Sequence, residues 1–348
     1  MLVFERHRLT GLVRQGLGNA GSACGRAASA WAQHGHRCAA LALIALVCLG
    51  ATSRQPGEAR LPDPSEPPPE ALLASLPFAQ DAPPSRIMID LAPEGSLPFV
   101  WLLDTGAGGS MITPRKARAM GVHVRRNKSS PYRKKTVLGR DIQFWVDTQV
   151  TDTAGKTDAD WALLGGDFLD DYVVEIDYPG RRVRFFDPKK YAVPQHAASS
   201  GEAVLPFQQS GTRISIELEV DHQPVRAMLD TGSPFTLLSG RSAQKIGIHV
   251  AELPVFPGLW GVLGPIEAYR YDTQSVAFGG LDLPGQPIVI APHGVYNQGG
   301  ATNSVVGYDL LRNFTLRIDY KRKRIWLRPG SKTAATLPDP PVDPRSSE

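Results

Sequence analysis

The chain has 348 residues, of which 42% are hydrophobic and 21% charged, so it can bury one large core or two smaller ones and is not a disordered tail. Five of its 38 basic residues and one of its 34 acidic residues precede Ala51, which leaves 33 of each beyond that point. A body without net charge argues against electrostatic binding of nucleic acid, which needs basic residues clustered on one face.

Residues 1–53 are predicted to be a targeting segment. The apolar run Cys38–Leu49 follows Arg37 and is shorter than the roughly 18 to 20 residues that a membrane-spanning helix needs. This pattern is typical of a signal peptide and predicts export to the periplasm or the extracellular space. An uncleaved N-terminal membrane anchor is the alternative. The three cysteines all lie in this segment, so the body can form neither a disulfide nor a cysteine-based metal site.

Residues 54–86 carry nine prolines, which remove backbone donors and favour an extended, solvated chain. We therefore predict a proline-rich linker ahead of the folded part. Its position would also allow it to act as an inhibitory pro-segment. Residues 331–348 contain a second proline-rich stretch and are predicted to form a tail.

Strand signals dominate between these two stretches. Short runs of Val, Ile, Phe, Tyr and Leu alternate with clusters of Gly, Pro and Asp, which predicts β-strands. In the first half these runs are Ile87–Leu91, Phe99–Leu103, Gln143–Val150, Tyr172–Asp177 and Arg182–Phe186. Two short helices are predicted, at Pro114–Met120, which opens with Thr113 as its cap, and at Arg241–Ile246. The fold class is mostly β.

The folded part is a duplication. Two lobes of one design are therefore predicted, at residues 87–190 and 204–330, with an interlobe linker at 191–203. The offset between the copies grows from 125 to 142 residues, which places 17 additional residues in the second copy. Three blocks recur in the same order: Ser110–Val124 with Thr236–Val250, Val137–Val150 with Val262–Ser275, and Leu164–Tyr178 with Val306–Tyr320.

The most informative repeated element is an Asp-Thr-Gly turn after an apolar strand. It occurs once in each copy, as Asp104-Thr105-Gly106-Ala107 and Asp230-Thr231-Gly232-Ser233. Glycine at the third place lets another chain segment approach closely, and the threonine hydroxyl can reach backbone groups across the lobe boundary. One such turn is weak evidence, whereas two at matching places point to a shared site.

Two carboxylates that share a site cannot both ionise at low cost, so the pair holds one proton near neutral pH. The ionised member can take a proton from a water molecule while the protonated member donates to a substrate carbonyl, which supplies a general base and a general acid together. The pair then titrates as a unit. Asp104 and Asp230 are the predicted catalytic residues, and Thr105, Gly106, Thr231, Gly232 and Ser233 are predicted to support their loops.

These motifs resemble the aspartic peptidases of the pepsin and retropepsin clan over residues 87–327. That family has two apolar residues and a glycine downstream of each catalytic motif, which Leu163-Leu164-Gly165 and Val305-Val306-Gly307 match. The resemblance implies two β lobes flanking a cleft that holds an extended peptide. The short lobes are closer to a retropepsin subunit than to a pepsin lobe, so the chain resembles a fused retropepsin pair. This implies a monomer with an internal pseudo-dimer.

The two motifs differ at their fourth residue. Ser233 could hydrogen-bond the Asp230 carboxylate, whereas Ala107 has no side-chain donor for Asp104. We therefore expect Asp230 to be the more readily ionised member and Asp104 to hold the proton.

The resemblance also implies a flap over the cleft. In the first lobe, Ser130–Gly139 could pair with Gln143–Thr148; in the second, Gly258–Gly264 could pair with Ala268–Thr273. Tyr132 and Trp260 could touch substrate from these hairpins or be buried beneath them.

Other repeated residues are interpreted as structural. His123 and His249 recur, but equivalent positions in two copies normally lie far apart and no further ligand accompanies them, so no metal site is predicted. Asp167 and Asp309 are interpreted as turn residues.

The sequence therefore predicts an exported aspartic endopeptidase that acts on polypeptides without a cofactor and without nucleic acid. Its only membrane contact would be through the N-terminal segment. The alternative function is a peptide-binding module on the same scaffold that does not cleave its ligand.

Overall fold

The computed structural model describes residues 66–80, 83, 85–92, 99–121, 131–135, 141–146, 162–199, 201–261, 264–293 and 304–330, which belong to one compact unit. Within those ranges no helix is long and apolar enough to cross a membrane. The predicted targeting segment and the predicted tail lie outside the described residues. The fold is mostly β with two lobes, as the sequence predicts.

The elements of the first half precede the interlobe connection. They are β1 (Leu72–Pro77), β2 (Met88–Leu91), β3 (Phe99–Leu103), β4 (Ser110–Ile112), α1 (Pro114–Ala119), β5 (Pro131–Lys135), β6 (Asp141–Val146), β7 (Ala162–Leu164), α2 (Gly166–Leu169), β8 (Val173–Asp177) and β9 (Arg182–Phe186). A 3-10 turn, Pro69–Ala71, comes before β1.

The second half contains more strands. They and the helices are β10 (Ala203–Pro206), β11 (Gln208–Ser210), β12 (Arg213–Val220), β13 (Gln223–Leu229), β14 (Leu237–Ser239), α3 (Gly240–Lys245), β15 (Trp260–Gly261), β16 (Gly264–Pro265), β17 (Tyr269–Asp272), β18 (Ser275–Phe278), β19 (Leu281–Pro284), β20 (Pro287–Ala291), β21 (Val305–Val306), α4 (Tyr308–Leu311), β22 (Phe314–Asp319) and β23 (Arg324–Pro329). A 3-10 turn, Val250–Glu252, follows α3.

The predicted local elements form where their sequence signals place them. Helix α1 begins after Thr113, whose hydroxyl accepts from the Lys116 backbone N–H at 3.4 Å, with Pro114 in the first turn. Ser239 caps α3 in the same way through the Ser242 N–H. Because both helices cover only six residues, packing rather than helix propensity stabilises them, and each buries one alanine, Ala117 or Ala243.

The two lobes have the same sheet topology. In lobe one the strand order is β2-β3-β7-β4-β6-β5, and lobe two repeats it as β12-β13-β21-β14-β20-β17 with β18 and β19 added beside β12. In each lobe the strand that ends at the Asp-Thr-Gly turn runs parallel to a short strand of the apolar-apolar-Gly motif. The added β18–β19 hairpin lies where the sequence places additional residues in the second copy.

A third sheet joins the lobes. Its order is β1-β9-β8-β22-β23-β10, and the antiparallel pair β8–β22 crosses the boundary between the two halves of the chain. Glu175 faces Arg317 in this register, and these residues are equivalent in the repeat, so the pseudo-twofold axis passes between them. They form a buried ion pair, and the Arg317 guanidinium lies 4.1 Å over the Trp326 ring.

This ion pair is a property of the fused chain. In a symmetric dimer of identical lobes, the residue on the axis would face its own copy, so opposite charges could not meet there. Each partner also has a second ion pair, Glu175 with Arg184 and Arg317 with Glu66, so the pair on the axis is the centre of a network of four charges. The duplicated lobes have diverged at a position that favours pairing within one molecule.

The prediction of a solvated linker for residues 54–86 is wrong for its C-terminal part. Strand β1 pairs with β9 at the edge of the interlobe sheet, and Ala71 before it is fully buried. Ser85 and Arg86 are also buried. Proline is tolerated here because an edge strand needs donors on one side only, and Pro77 is the last residue of β1.

The hairpin predictions are corrected in both lobes. In lobe one, β5 and β6 form the predicted antiparallel hairpin, but β6 also pairs in parallel with β4, so the hairpin is the edge of the lobe sheet and not a free flap. In lobe two, the arms pair Trp260 with Pro265 and bridge Val255 to Tyr269, a different register from the predicted one. We call residues 255–269 the lobe-two hairpin.

Candidate active site

The two Asp-Thr-Gly turns lie at the ends of equivalent parallel strand pairs. The Asp104 N–H donates to the Leu164 carbonyl at 2.9 Å, and the Asp230 N–H donates to the Val306 carbonyl at 3.0 Å. Each aspartate therefore begins its turn while still bonded to the apolar-apolar-Gly strand beside it. The downstream motifs thus fix where each carboxylate leaves its sheet.

The two threonines form hydrogen bonds between the lobes. The Thr105 hydroxyl donates to the Leu229 carbonyl at 2.8 Å, and the Thr231 hydroxyl donates to the Leu103 carbonyl at 2.7 Å. Each hydroxyl also accepts from the other threonine's backbone N–H, at 3.1 Å in both directions. These four buried hydrogen bonds join the turns, which is the contact that the repeated motif predicts.

The glycines bring each turn against the opposite carboxylate. A Cβ atom on Gly106 would lie 2.6 Å from both carboxylate oxygens of Asp230, and one on Gly232 would lie 2.5 and 2.8 Å from those of Asp104. Both distances are too short for a real carbon atom. Each carboxylate therefore occupies the space beside the other lobe's glycine, and the two acids share one site.

Backbone donors orient the two carboxylates. Oδ1 of Asp104 accepts from the N–H groups of Gly106 and Ala107, at 2.8 and 3.0 Å. Oδ1 of Asp230 accepts from the Gly232 N–H at 2.9 Å. The Ser233 hydroxyl donates to the Phe235 carbonyl at 2.7 Å, so its single proton is not directed to Asp230. The expectation that Ser233 makes Asp230 the more ionised member therefore loses its physical basis.

The two aspartates are buried, as are two tyrosines at equivalent positions in the two lobes. Asp104 and Asp230 are 0% and 1% exposed, and Tyr178 and Tyr320 follow β8 and β22. Burial raises the pKa of both tyrosine hydroxyls, with smaller contributions from Tyr308 and then Asp230 for Tyr178, and from Asp170 and then Asp104 for Tyr320. Both phenols therefore stay neutral.

Two arginines that sequence reasoning missed also cross between the lobes. The Arg86 Nη1 donates to the Gly232 carbonyl at 2.6 Å, and the Arg213 Nε donates to the Gly106 carbonyl at 3.1 Å. Arg86 precedes Asp104 by 18 residues and Arg213 precedes Asp230 by 17. This matched spacing is the signal that could have identified them.

Comparison with known proteins gives a family match in the second lobe. The sequence model of the aspartyl protease family matches residues 216–324, which include Asp230, Thr231 and Gly232. Lobe two thus matches the aspartyl protease family. The resemblance to the pepsin and retropepsin clan, drawn from the paired motifs, is thereby confirmed, and lobe one carries the same topology and the same turn. No curated protein matches the chain.

Three solved structures are similar in fold to this chain. A retropepsin-like aspartic protease from Rickettsia conorii is 23% identical over 36% of this chain and 90% of its own, with a TM-score of 0.29. An aspartic proteinase from Irpex lacteus is 12% identical over 76% and 99%, with a TM-score of 0.48. Basic 7S globulin from soybean is 10% identical over 76% and 98%, with a TM-score of 0.40.

In each lobe an aspartate holds the segment that follows the Asp-Thr-Gly turn. In lobe two, Asp309 accepts from the N–H and the hydroxyl of Thr236, at 2.8 and 2.7 Å, and that hydroxyl accepts from the Gly307 N–H. In lobe one, Asp167 accepts from the Ser110 hydroxyl at 2.7 Å. These aspartates lie in the first turns of α4 and α2, so they are more than the turn residues that the sequence predicts.

Asp309 should make stability depend on pH. Burial raises its pKa from 3.8 to about 6, against the opposing hydrogen bonds from Thr236. Because the folded-state pKa lies above the ordinary value, the stabilising contribution of protonated Asp309 is complete below pH 3.8 and is lost as the pH rises through 6. Between pH 3 and pH 7, the wild-type free energy of unfolding should fall by about 3 kcal/mol more than that of Asp309→Asn.

Urea unfolding of both proteins at several pH values measures this difference. Asp167→Asn is the matched control: burial raises the pKa of Asp167 as well, but this side chain is only partly buried, so its effect should be smaller. Parallel stability curves for the wild type and Asp309→Asn would contradict the assignment.

The lobe-two hairpin packs on the apolar wall beside the catalytic loop. Its residues Phe256 and Leu259 are buried against Phe235, and the Phe235 and Phe256 rings are 5.2 Å apart at 75°. The Phe235 carbonyl accepts the hydrogen bond from the Ser233 hydroxyl. The hairpin and the loop that follows Asp230 therefore both contact Phe235. The side chain of Trp260 lies outside what the structure describes, as does that of Tyr132, so their predicted substrate contacts stay predictions.

Phe256→Ala should loosen this hairpin. Removal of a buried aromatic ring typically costs about 3 kcal/mol or more, and here the loss falls on a hairpin whose two short strands pair only with each other. We expect faster protease nicking within residues 255–269 and a roughly tenfold lower kcat/KM in any peptide-cleavage assay. Val255→Ala is the control, because Val255 is 69% exposed. Equal nicking rates for the two variants would exclude Phe256 as the anchor.

Proposed function

We propose that this protein is an aspartic endopeptidase in which Asp104 and Asp230 together activate a water molecule to hydrolyse a peptide bond. The observation that carries the proposal is the crossed packing of Gly106 on the Asp230 carboxylate and of Gly232 on the Asp104 carboxylate. Carboxylates held so close favour a state with a single shared proton. The aspartyl protease family match of lobe two supports peptidase activity and a polypeptide substrate.

In the proposed reaction, the ionised aspartate takes a proton from the water while the protonated one donates to the substrate carbonyl oxygen. The resulting tetrahedral intermediate carries two hydroxyl groups and no bond to the enzyme. The aspartate that took the water proton then donates it to the amide nitrogen, while the other aspartate takes a proton from one of the two hydroxyl groups. The carbon–nitrogen bond breaks as the new carboxylic acid forms, and the dyad returns to its starting state. The crossed threonine hydrogen bonds keep the two acids in register through these steps.

Hydrolysis of an unfolded protein substrate between pH 3 and pH 7 tests the proposal. We expect cleavage that is strongest in acid and new peptide termini that mass spectrometry identifies. Inhibition by a statine-type compound would support the dyad, and loss of cleavage in Asp104→Asn and Asp230→Asn is the firmer control. Binding of peptides in fluorescence polarisation without cleavage at any pH would favour the peptide-binding module instead.

We also propose that the protein is exported as a monomer whose N-terminal segment is either removed or retained as an anchor. One chain supplies both carboxylates, and the opposite charges of Glu175 and Arg317 on the pseudo-twofold axis favour pairing within the chain. N-terminal sequencing of protein recovered from soluble and membrane fractions separates cleavage from anchoring. Sedimentation of a dimer at micromolar concentration would contradict the monomer.

A further inference from the structure

Arg86 and Arg213 occupy equivalent places beside the dyad but differ in exposure. Arg86 is 7% exposed and its hydrogen bond to the Gly232 carbonyl is buried. Arg213 begins β12 and is exposed. The same position of the repeat is therefore a buried contact on one side of the dyad and a solvent-facing guanidinium on the other.

Arg213 is only partly used within the protein. Its Nε donates to the Gly106 carbonyl, and among the residues that the structure describes its two Nη groups have no hydrogen-bond or ion-pair partner. A guanidinium presents its donors in a fixed planar fork, so one bond through Nε leaves the paired Nη groups aimed in a set direction. Arg213 thus offers two parallel donors and a full positive charge to solvent.

The position of Arg213 is close to the reacting atoms. It binds the carbonyl of Gly106, the residue that packs directly on the Asp230 carboxylate. The neighbouring Thr212 hydroxyl donates to the Gly108 carbonyl at 2.8 Å, which fixes the same segment to the lobe-one loop at a second point. The guanidinium is therefore held in place before any ligand arrives, which lowers the entropy lost on binding.

We propose that Arg213 is a specificity-determining residue that binds the carboxylate of an Asp or Glu side chain near the scissile bond of the substrate. Two parallel Nη donors match the two oxygens of a carboxylate, and this bidentate arrangement is stronger and more selective than a bond to a neutral amide. An extended peptide advances about 3.3 Å per residue, so the acidic residue falls within a few positions of the cleaved bond. This inference rests on the proposed peptidase function.

Paired peptides that carry Glu or Gln at one of the three positions on either side of the scissile bond test the proposal. At pH 5.5, wild-type protein should cleave the Glu peptide at one of these positions with a kcat/KM about tenfold higher than the Gln peptide. The Glu-to-Gln ratio of kcat/KM should approach one in Arg213→Gln. Arg213→Glu should instead prefer peptides that carry Lys at that position. The wild-type ratio should also collapse as the pH falls below about 4.3, where the substrate Glu becomes protonated.

Arg226→Gln is the matched control. Arg226 is an exposed arginine on β13, the neighbouring strand, and pairs across the sheet with Glu217 rather than with a catalytic loop. The Glu-to-Gln ratio should stay at its wild-type value in this variant. Lys is the second control replacement at position 213, because Arg213→Lys keeps the charge and loses the fork, so it should retain only part of the preference.

Equal cleavage of Glu and Gln peptides by the wild type at all six positions would overturn the proposal, as would an unchanged ratio in Arg213→Gln. If the wild type cleaves no peptide, the proposed function fails, and binding of the same labelled peptides measured by fluorescence polarisation decides the inference. Tighter binding of a Glu peptide that Arg213→Gln abolishes would then support it, and equal binding would overturn it.

Discussion

Asp104→Asn and Asp230→Asn should each lower kcat for peptide hydrolysis by about 10³-fold or more. General acid–base catalysis by one positioned group is worth about 10² to 10⁴-fold, and the amide of asparagine can neither take nor carry the shared proton. The replacement is nearly isosteric, so the backbone bonds from Gly106 and Gly232 to the Oδ1 atoms can persist. Peptide cleavage followed by mass spectrometry gives kcat for each variant.

Three comparisons make this result specific to a shared dyad. The double variant should be about as inactive as either single one, because the two acids act as a unit. Both single variants should stay folded, with a thermal unfolding midpoint close to that of the wild type at pH 7, since asparagine is nearly isosteric with aspartate and adds no charge. If either single variant keeps more than a tenth of the wild-type kcat, the two aspartates do not share one proton in catalysis.

The sequence predicted the paired Asp-Thr-Gly turns because their determinants are local and repeated. An apolar strand, an Asp-Thr-Gly turn and a downstream apolar-apolar-Gly motif occur twice, and each part lies where its own residues dictate. The crossed hydrogen bonds of Thr105 and Thr231 also follow, since a twofold relation between equal turns brings equal residues together. Two copies of a motif thus specify a contact that one copy cannot.

The sequence could not predict which strands pair when they lie far apart in the chain. Strand β1 joins β9 more than 100 residues later, and proline content alone predicted solvated chain there. The predicted hairpin registers were wrong for the same reason, because similarity between Val137–Val150 and Val262–Ser275 does not show which strand each segment pairs with. In the sheets, β6 of lobe one is equivalent to β20 of lobe two. The inserted β18–β19 hairpin precedes β20, so the sequence repeat matched β6 with a segment ahead of the insertion.

The residues beside the dyad illustrate the same limit. Arg86 and Arg213 lie 146 and 107 residues from the glycines whose carbonyls they bind, so only their similar spacing ahead of Asp104 and Asp230 marks them in the sequence. Ser233 shows the converse error. Its place after the second motif suggested a bond to Asp230, but the nearer backbone acceptor of Phe235 takes its proton. A short polar side chain in a tight turn commonly bonds to nearby backbone, which competes with the tertiary contact.

Gly106→Ala and Gly232→Ala should each reduce kcat/KM by about 10² to 10³-fold, because each added methyl group would displace the carboxylate of the opposite lobe. The new methyl group at position 106 would lie 2.6 Å from the Asp230 oxygens, so that carboxylate must move, and small displacements of a catalytic group can lower rates by about 10²-fold. Gly232→Ala would displace Asp104 in the same way. The effect crosses the lobe boundary, which a purely local role for the glycines would not produce.

Gly108→Ala provides the matched control in the same loop. The nearest atoms to its Cβ would be the Thr212 hydroxyl at 3.8 Å and the Arg213 Nε at 4.0 Å, which are ordinary contacts, so kcat/KM should stay within about threefold of the wild type. The free energy of unfolding separates displacement from misfolding, because overpacking at one position typically costs about 1 to 3 kcal/mol. A folded Gly106→Ala variant with wild-type activity would mean that the Asp230 carboxylate does not occupy the space beside Gly106, and the shared site would then lose its geometric basis.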